Sequence, residues 1–166
     1  PRDRGMLQPL QMLTQRQLIA LAALGSAVIL LTAFGFQYIG GLAPCHLCLL
    51  QRYPHAVAGG LGVLVLAGLT WRPVALLGAG AALTTAGIGA YHTGVERGFF
   101  EGPSDCTGFD IGEMDTIQLL DAIDAAPVVR CDEVPWEMLG LSMASWNVLA
   151  SLAFAALWLA AFRRAA

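Results

Sequence analysis

Four long apolar stretches constrain this chain more than any other feature of its sequence. Residues 18–36 contain no ionisable side chain and reach the roughly 20 residues that cross a bilayer. Residues 73–91 and 142–162 are similar, and residues 56–71 reach spanning length when extended back over 49–53. Backbone polar groups in lipid are satisfied only in helices or closed barrels, and strand-like alternation is missing here. The sequence therefore predicts an all-α membrane protein, a four-transmembrane-helix bundle.

The composition agrees with that prediction. Of 166 residues, 57% are apolar and 13% are charged, and a soluble domain carries about twice that charged fraction. All nine basic residues are arginines, the net charge is −3, and no basic patch supports nucleic-acid binding. We predict a single integral membrane domain over residues 1–166, in contact with membrane lipid. Its spans are expected at about residues 17–37, 50–70, 73–92 and 142–162, with loops at about 38–49 and 93–141.

The placement of arginines predicts the orientation of the chain. When the spans alternate in direction, both termini and the turn at residues 70–73 share one side of the membrane. That side holds Arg2, Arg4, Arg16, Arg72, Arg163 and Arg164. Because arginine-rich segments stay in the cytoplasm, we expect both termini to be cytoplasmic. All four cysteines then lie on or near the opposite, oxidising side, where disulfides persist.

The long loop at 93–141 is the only sizeable polar segment, and loops of that length are usually functional or disordered. Within it, apolar residues recur at helical spacing and acids occupy the other positions. These apolar residues are Ile111, Met114, Ile117, Leu120 and Ile123. The pattern predicts a short amphipathic helix that either lies on the membrane surface or packs against another helix.

The cysteines divide by spacing into a close pair, Cys45 and Cys48, and a distant pair, Cys106 and Cys131. A two-residue gap is typical of exchangeable redox pairs, and a structural bridge there would close almost no loop. The distant pair suits a structural disulfide, worth about 3–4 kcal/mol by loop entropy. One four-thiolate zinc site is a third interpretation, although most such sites use two close pairs. The spacing alone leaves redox, structural and zinc interpretations open.

Arg52 favours the redox interpretation. If a helix begins near Cys48, then Cys48, Gln51, Arg52 and His55 share one face at the membrane edge. A guanidinium there stabilises a thiolate and donates hydrogen bonds to an electron-rich carbonyl oxygen. The alternative is that Arg52 anchors the helix at the lipid headgroups. His46 and His92 are ambiguous between roles at the thiols and solvated positions, and no metal-ligand spacing involves the histidines, so we expect no metal.

The chain resembles the DsbB family of membrane disulfide-generating proteins. The resemblance is carried by a hydrophobic span followed by Pro44-Cys45-x-x-Cys48-x-x-x-Arg52, by two cysteines in a long second outer loop, and by "WEMLGLSM" before the last span. The run "HTGVERGFFEGPSDC" is similar to that of the shorter DsbB-like proteins. The resemblance covers essentially the whole chain from the first span onward.

The resemblance implies a protein-disulfide:quinone oxidoreductase in the bacterial inner membrane. Its partner would be DsbA, a periplasmic thioredoxin-fold protein, whose thiolate attacks Cys106 of a Cys106–Cys131 disulfide. Cys45 would exchange with that pair, and Cys48 would face a bound ubiquinone (or menaquinone) that delivers electrons to the quinone pool. Arg52 would polarise a quinone oxygen. The site would also include the following residues: Gln51, His55 and His92, with His92 and Glu96 as candidates for proton delivery.

The sequence departs from the best-known members at the Cys-His-Leu-Cys pair and at the acidic helix around residues 111–123. Redox potentials and the docking surface for DsbA therefore do not carry over. Two other functions stay open: a paralogue with a dedicated thioredoxin-like partner, and a non-enzymatic membrane scaffold with two structural disulfides. A protein like vitamin K epoxide reductase is disfavoured, because its membrane-proximal active pair lies late in the chain.

Overall fold

The computed structural model describes residues 13–69, 72–103, 115, 117 and 129–164. In these residues the chain forms helices α1 (Gln15–Tyr38), α2 (His46–Leu66), α3 (Arg72–Glu96) and α4 (Met143–Arg164). A two-stranded antiparallel hairpin, β1 (Glu137–Met138) and β2 (Leu141–Ser142), leads into α4. Each helix falls where an apolar stretch predicts one, so the all-α prediction is confirmed. The predicted amphipathic helix at 111–123 lies outside the described residues, apart from Asp115 and Ile117.

Local sequence determines where the first two helices begin. Thr14 and Gln17 form a capping box in which each side chain accepts a hydrogen bond from the other residue's backbone N–H. This reciprocal pairing satisfies two of the amide donors that a helix leaves open at its start. At α2 the cap is Cys45, whose Sγ accepts from the backbone N–H of Cys48 at 3.2 Å. The first cysteine of the close pair is thus fixed by the helix that carries the second.

The four helices pack in a ring. Helix α1 packs against α2 and α4, and α3 also packs against α2 and α4. The core between the four helices consists mainly of small residues. Its one large aromatic side chain among the described residues is Trp158, which is fully buried. Gly78 on α3 lies directly under that indole, where any Cβ would collide with it. Small residues at such contacts let helix backbones approach closely, as is usual in membranes.

The outward faces of the helices are apolar. Large side chains such as Leu24, Leu31 and Val63 are more than half exposed, which in water would leave an extensive apolar surface. Helices α1, α3 and α4 are each long and apolar enough to cross a membrane. Helix α2 is not among these three because its first half carries polar residues. A membrane protein is therefore supported, and the four-span arrangement remains a prediction.

The hairpin before α4 was not predicted. Its two central residues, Leu139 and Gly140, have φ values of 55° and 74°, the left-handed conformation that tight hairpin turns require. Trp146 of α4 donates from its indole nitrogen to the carbonyl of Met138 at 3.1 Å. The hairpin is therefore tied to the helix that follows it.

Candidate active site

The close cysteine pair sits at the beginning of α2, with both thiols free. The two Sγ atoms lie 2.8 Å apart, so a bond of about 2.05 Å requires only a small movement. Cys45 is 5% exposed and Cys48 is half-buried. The pair is therefore placed to open and close a disulfide with little change in the helix.

The two thiols differ in acidity, and both lie ahead of the span predicted from residue 50. The pKa of Cys48 is lowered, chiefly by the hydrogen bond from the Cys45 side chain and also by the Arg52 charge. The pKa of Cys45 is raised, chiefly by the same hydrogen bond and then by burial. Cys48 is thus the first of the two to lose its proton, and Cys45 is the thiol that donates to it. A helix N-terminus adds further stabilisation to a thiolate.

His92 and Glu96 of α3 reach the pair from the side. The Nε2 atom of His92 lies 3.6 Å from Cys45 Sγ and 3.8 Å from a carboxylate oxygen of Glu96. The second Glu96 oxygen accepts a hydrogen bond from the hydroxyl of Ser142. His92 is 4% exposed, so a polar chain of thiol, imidazole, carboxylate and hydroxyl is shielded from solvent.

Cys131 lies on the other side of the pair. It is disulfide-bonded and 1% exposed. It packs in one buried cluster with Cys45, Leu47 and Val95, and its main chain hydrogen-bonds with the imidazole of His92. Cys106, the other cysteine predicted in the long loop, lies outside the described residues. Of the distant pair, the described residues therefore include only Cys131, which lies next to the close pair.

A cavity of about 250 Å³ opens beside Cys48. Most of its lining is apolar and comes from α1, α4 and the segments before α2 and α4. Its polar lining residues are Thr32, Cys48, Gln51, Arg52, His55, His92 and Asn147, with the indoles of Trp136 and Trp146 nearby. All five residues predicted to bind a cofactor thus line one cavity.

Arg52 is held in place from α1. Its guanidinium donates to the side-chain oxygen of Gln37 at 2.5 Å and to the carbonyl of Ala33 at 3.4 Å, and it lies 5.0 Å above the ring of Phe34. Its Nε is buried and has no hydrogen-bond partner. A buried donor left without a partner is costly. Arg52 thus lines the cavity and keeps one N–H that no described residue satisfies.

A second polar network connects the helices deeper in the bundle. Gln51 contacts Nδ1 of His92 at 3.0 Å and accepts from the Nδ2 of Asn147 at 2.7 Å. Asn147 in turn contacts Nε2 of His55 at 2.8 Å through its Oδ1. Thr85 of α3 closes the network, 3.1 Å from the same Nδ2. The network joins α2, α3 and α4 and brings both cavity histidines into one hydrogen-bonded unit.

The sequence reasoning missed Asn147, Thr85 and Ser142. Asn147 is the most detectable of the three, because an amide inside an otherwise apolar span is costly unless it has partners or a function. It also missed the position of His92. Helical spacing within α2 carries no information about His92, which contacts Cys45 from another helix.

Three ligating atoms of Cys45, Cys48 and His92 lie within 4.8 Å of one another. Such a set suits a soft cation such as zinc. However, two thiolates that share a tetrahedral zinc ion at 2.3 Å lie about 3.8 Å apart, and these sulfurs are 2.8 Å apart. The arrangement is therefore suited to sulfur–sulfur bonding rather than to a preformed zinc site.

Comparison with known proteins agrees with this geometry. The family model described as "Disulfide bond formation protein DsbB" matches residues 15–161, a range that includes all four cysteines and the whole cavity. The chain belongs to the DsbB family. The predicted resemblance is therefore confirmed.

Curated relatives carry the same name. Disulfide bond formation protein B of Hahella chejuensis is 32% identical, over 92% of this chain and 96% of the relative. The protein of that name from Polaromonas sp. (strain JS666 / ATCC BAA-500) is 29% identical, over 91% and 92% of the two chains. The one from Polaromonas naphthalenivorans is 31% identical, over 80% and 81%. No solved structure matches the chain.

Proposed function

We propose that this DsbB-family protein oxidises a DsbA-like periplasmic thioredoxin-fold protein and passes the electrons to a quinone in the bacterial inner membrane. One observation carries the proposal: the free Cys45–Cys48 pair lies between the buried, disulfide-bonded Cys131 and the cavity lined by Arg52. A relay needs a second cysteine pair that delivers electrons on one side of the close pair and an electron acceptor on the other. This arrangement provides both positions.

The cavity residues fit a quinone, the cofactor that the family implies. The unpartnered Nε of Arg52 needs an acceptor, and a carbonyl oxygen supplies one. The remaining lining is largely apolar, as a ring with a hydrocarbon tail requires. Arg52 would hold one oxygen of the ring, with Cys48 beside it and Gln51, His55 and His92 around it. When bound, a quinone accepts two electrons and two protons from the dithiol.

Electrons would enter through the distant pair. A thiolate of the partner attacks Cys106 and breaks the Cys106–Cys131 bond, which forms a mixed disulfide and a Cys131 thiolate. The partner's second thiol then displaces Cys106, so the partner leaves oxidised. The Cys131 thiolate attacks Cys45 of the closed short pair and releases Cys48. Cys106 then displaces Cys45 from Cys131, which restores the loop disulfide and leaves the short pair reduced.

The acidities of the two thiols support this order. Cys48 leaves as a thiolate, and a lowered pKa makes a thiol a better leaving group. The thiol of Cys45 keeps its proton until it bonds again with Cys48. His92 Nδ1 accepts from the Gln51 amide nitrogen at 3.0 Å, so Nε2 carries the imidazole proton and lies 3.6 Å from the Cys45 sulfur. Once that proton passes to Glu96, 3.8 Å away, Nε2 can take the proton that Cys45 releases.

The test combines the purified full-length protein with a reduced DsbA-like protein and a soluble ubiquinone analogue, and follows the loss of quinone absorbance. We expect loss that depends on the partner and disappears in Cys48→Ser. Quinone left unreduced while the partner remains reduced would contradict the proposal and favour two structural disulfides. In Cys131→Ser the free Cys106 thiolate should attack the disulfide of the oxidised partner and accumulate an adduct linked through Cys106, because Cys131 is no longer present to displace the partner. Trapping of a different thioredoxin-fold protein instead would identify a paralogue with a dedicated partner.

A further inference from the structure

Two buried polar atoms of the cavity lack partners, and they have opposite hydrogen-bonding character. Among the described residues, four buried side-chain atoms are without a partner: Ser26 Oγ, Arg52 Nε, His55 Nδ1 and Trp158 Nε1. Only Arg52 and His55 line the cavity. They are three residues apart on α2, so they lie on one helix face. Arg52 Nε always carries a proton, and the character of His55 Nδ1 follows from the polar network.

One main-chain carbonyl fixes the orientation of Gln51. Its Nε2 lies 3.0 Å from the carbonyl oxygen of Leu47, which can only accept, so the nitrogen of the amide must be on that side. The Oε1 of Gln51 therefore faces Asn147 and accepts from it at 2.7 Å. The amide of Asn147 must then present its nitrogen to Gln51.

Thr85 gives the same orientation for Asn147 independently. The Thr85 hydroxyl donates its one proton to the carbonyl of Gln51 at 3.2 Å. It can therefore only accept from Asn147, whose Nδ2 lies 3.1 Å away. Both neighbours thus place the nitrogen of Asn147 towards α2 and α3, and its Oδ1 towards His55.

The proton position on His55 follows. Asn147 Oδ1 accepts from the hydroxyl of Ser151 at 3.3 Å and lies 2.8 Å from His55 Nε2, which must therefore be the protonated nitrogen. His55 is 3% exposed, and none of its contacts among the described residues is a carboxylate. A charge buried without a counter-ion is unfavourable. The imidazole is consequently neutral, and its Nδ1 is a bare acceptor.

Two residues that line the cavity thus each hold an unpaired polar atom, a donor on Arg52 and an acceptor on His55. Both atoms have almost no accessible surface, so a ligand reaches them only after a small shift of the side chain. An oxidised quinone has two accepting oxygens and satisfies only Arg52. A hydroquinone satisfies both, because one oxygen accepts from Arg52 while a hydroxyl group donates to His55. We propose that His55 makes this site selective for the hydroquinone over the quinone form of its ligand, an inference that rests on the proposed quinone function.

Such selectivity would assist the proposed reaction. If the reduced form binds more tightly, the bound ligand becomes a stronger oxidant than the same ligand in the lipid, because binding and reduction are thermodynamically linked. A tenfold preference corresponds to about 30 mV for a two-electron couple. His55 acts here through binding, and it differs from Arg52 in recognising the product rather than the substrate.

The test measures binding without turnover. The full-length Cys45→Ser/Cys48→Ser protein cannot transfer electrons, so decyl-ubiquinone and its hydroquinone can each be titrated anaerobically. Quenching of Trp136 and Trp146, which line the cavity, reports occupancy. One additional hydrogen bond predicts a hydroquinone Kd lower by roughly 2- to 13-fold. His55→Phe in the same background should abolish the preference, and Ser151→Ala, which leaves His55 Nε2 paired with Asn147, should retain it.

The outcomes separate this inference from the function on which it rests. Equal affinity for the two forms in the double-serine protein would overturn the role of His55 and leave the quinone site intact, and this result does not depend on any His55 variant folding. A preference that persists in His55→Phe would also overturn it. Binding of neither form would contradict the proposed function itself.

Discussion

At the scale of the residue, Cys45 and Cys48 are chemically identical but have different roles because of their positions. Cys45 precedes α2, caps it and is buried against Cys131, whereas Cys48 lies in the first turn and faces the cavity. The hydrogen bond between them stabilises a thiolate at one sulfur by keeping the proton on the other. A Cys-x-x-Cys pair at a helix start thus has one more acidic thiol, which is the better leaving group, and one less acidic thiol.

The acidity of Cys48 can be measured by alkylation. Because its pKa is lowered, the rate of iodoacetamide labelling of Cys48 in the reduced protein should rise at a lower pH than for an ordinary thiol. Cys45→Ala removes the largest cause and should move this midpoint upwards. Arg52→Gln removes a smaller cause and should move it upwards by less. Site-resolved mass spectrometry over a pH series provides the measurement, and an unshifted midpoint in Cys45→Ala would refute the assignment.

Arg52 should determine affinity for the electron acceptor. In Arg52→Ala the cavity loses a charged donor worth about 1.5–3 kcal/mol, so KM for a soluble ubiquinone analogue should rise roughly 10- to 150-fold. The matched control is Arg163→Ala, an exposed arginine at the far end of α4, which should leave KM unchanged. The measurement is the steady-state KM for the quinone analogue in both variants, compared at equal expression. Unchanged quinone kinetics in Arg52→Ala would remove the role proposed for this residue.

At the scale of the element, α2 buries one face along its whole length, and the two halves of that face differ in polarity. Its buried residues recur every three or four positions: Leu47, Gln51, His55, Ala58, Gly62 and Val65. The half nearer the cysteines is mainly polar and pairs with α3 and α4, while the other half is small and apolar and packs on α1. Gly62, for example, lies against Ala23, with no room for a Cβ. The same face therefore serves binding at one end and helix packing at the other.

Gly78 of α3 leaves the space that the indole of Trp158 of α4 occupies. A Cβ at Gly78 would collide with the buried indole of Trp158, whereas Gly80 has nothing within 4 Å of the same position. Gly78→Ala should therefore destabilise the protein by about 1–3 kcal/mol through overpacking. Gly80→Ala makes the identical change in open space and should be neutral or stabilising by up to about 1 kcal/mol. Thermal unfolding in detergent, followed by circular dichroism, compares the two. Equal melting temperatures would show that the indole does not constrain this contact.

At the scale of the whole molecule, the ring of helices assembles a site from distant parts of the chain. The close pair comes from the start of α2, His92 from the end of α3, Cys131 from the segment before the hairpin, and Asn147 from α4. All of them meet at the end of the bundle at which α2 begins. A redox pair, a buried disulfide cysteine and a cavity are thereby placed next to one another.

The predicted orientation of the bundle is testable by fusion. Since the arginines concentrate at the termini and at residue 72, the positive-inside rule predicts cytoplasmic termini. Green fluorescent protein fused after Ala166 should fluoresce, and alkaline phosphatase inserted after Gly102 should be active, because each reporter works on only one side of the membrane. The reverse pattern would invert the orientation and place the cysteines in a reducing compartment.

The sequence by itself determined the positions of the four helices and indicated thiol redox chemistry as the class of function. Apolar stretches of spanning length predict helices wherever they occur, because backbone N–H and C=O groups in lipid must form hydrogen bonds within the chain. The spacing of Cys48, Gln51, Arg52 and His55 likewise placed these residues on one helix face, since that relation is local. The hairpin at residues 137–142 escaped prediction because its turn depends on two left-handed residues, only one of which is glycine.

Only the tertiary structure decided which residues meet across helices. Helical periodicity carries no information about the rotation of α3 and α4 relative to α2, so the contacts of His92 with Cys45 and of Asn147 with Gln51 could not be derived from spacing. The proton position on His55 depends on three such contacts in series. These contacts join Asn147 to Gln51, Thr85 and His55, and they exist only once α3 and α4 have packed against α2.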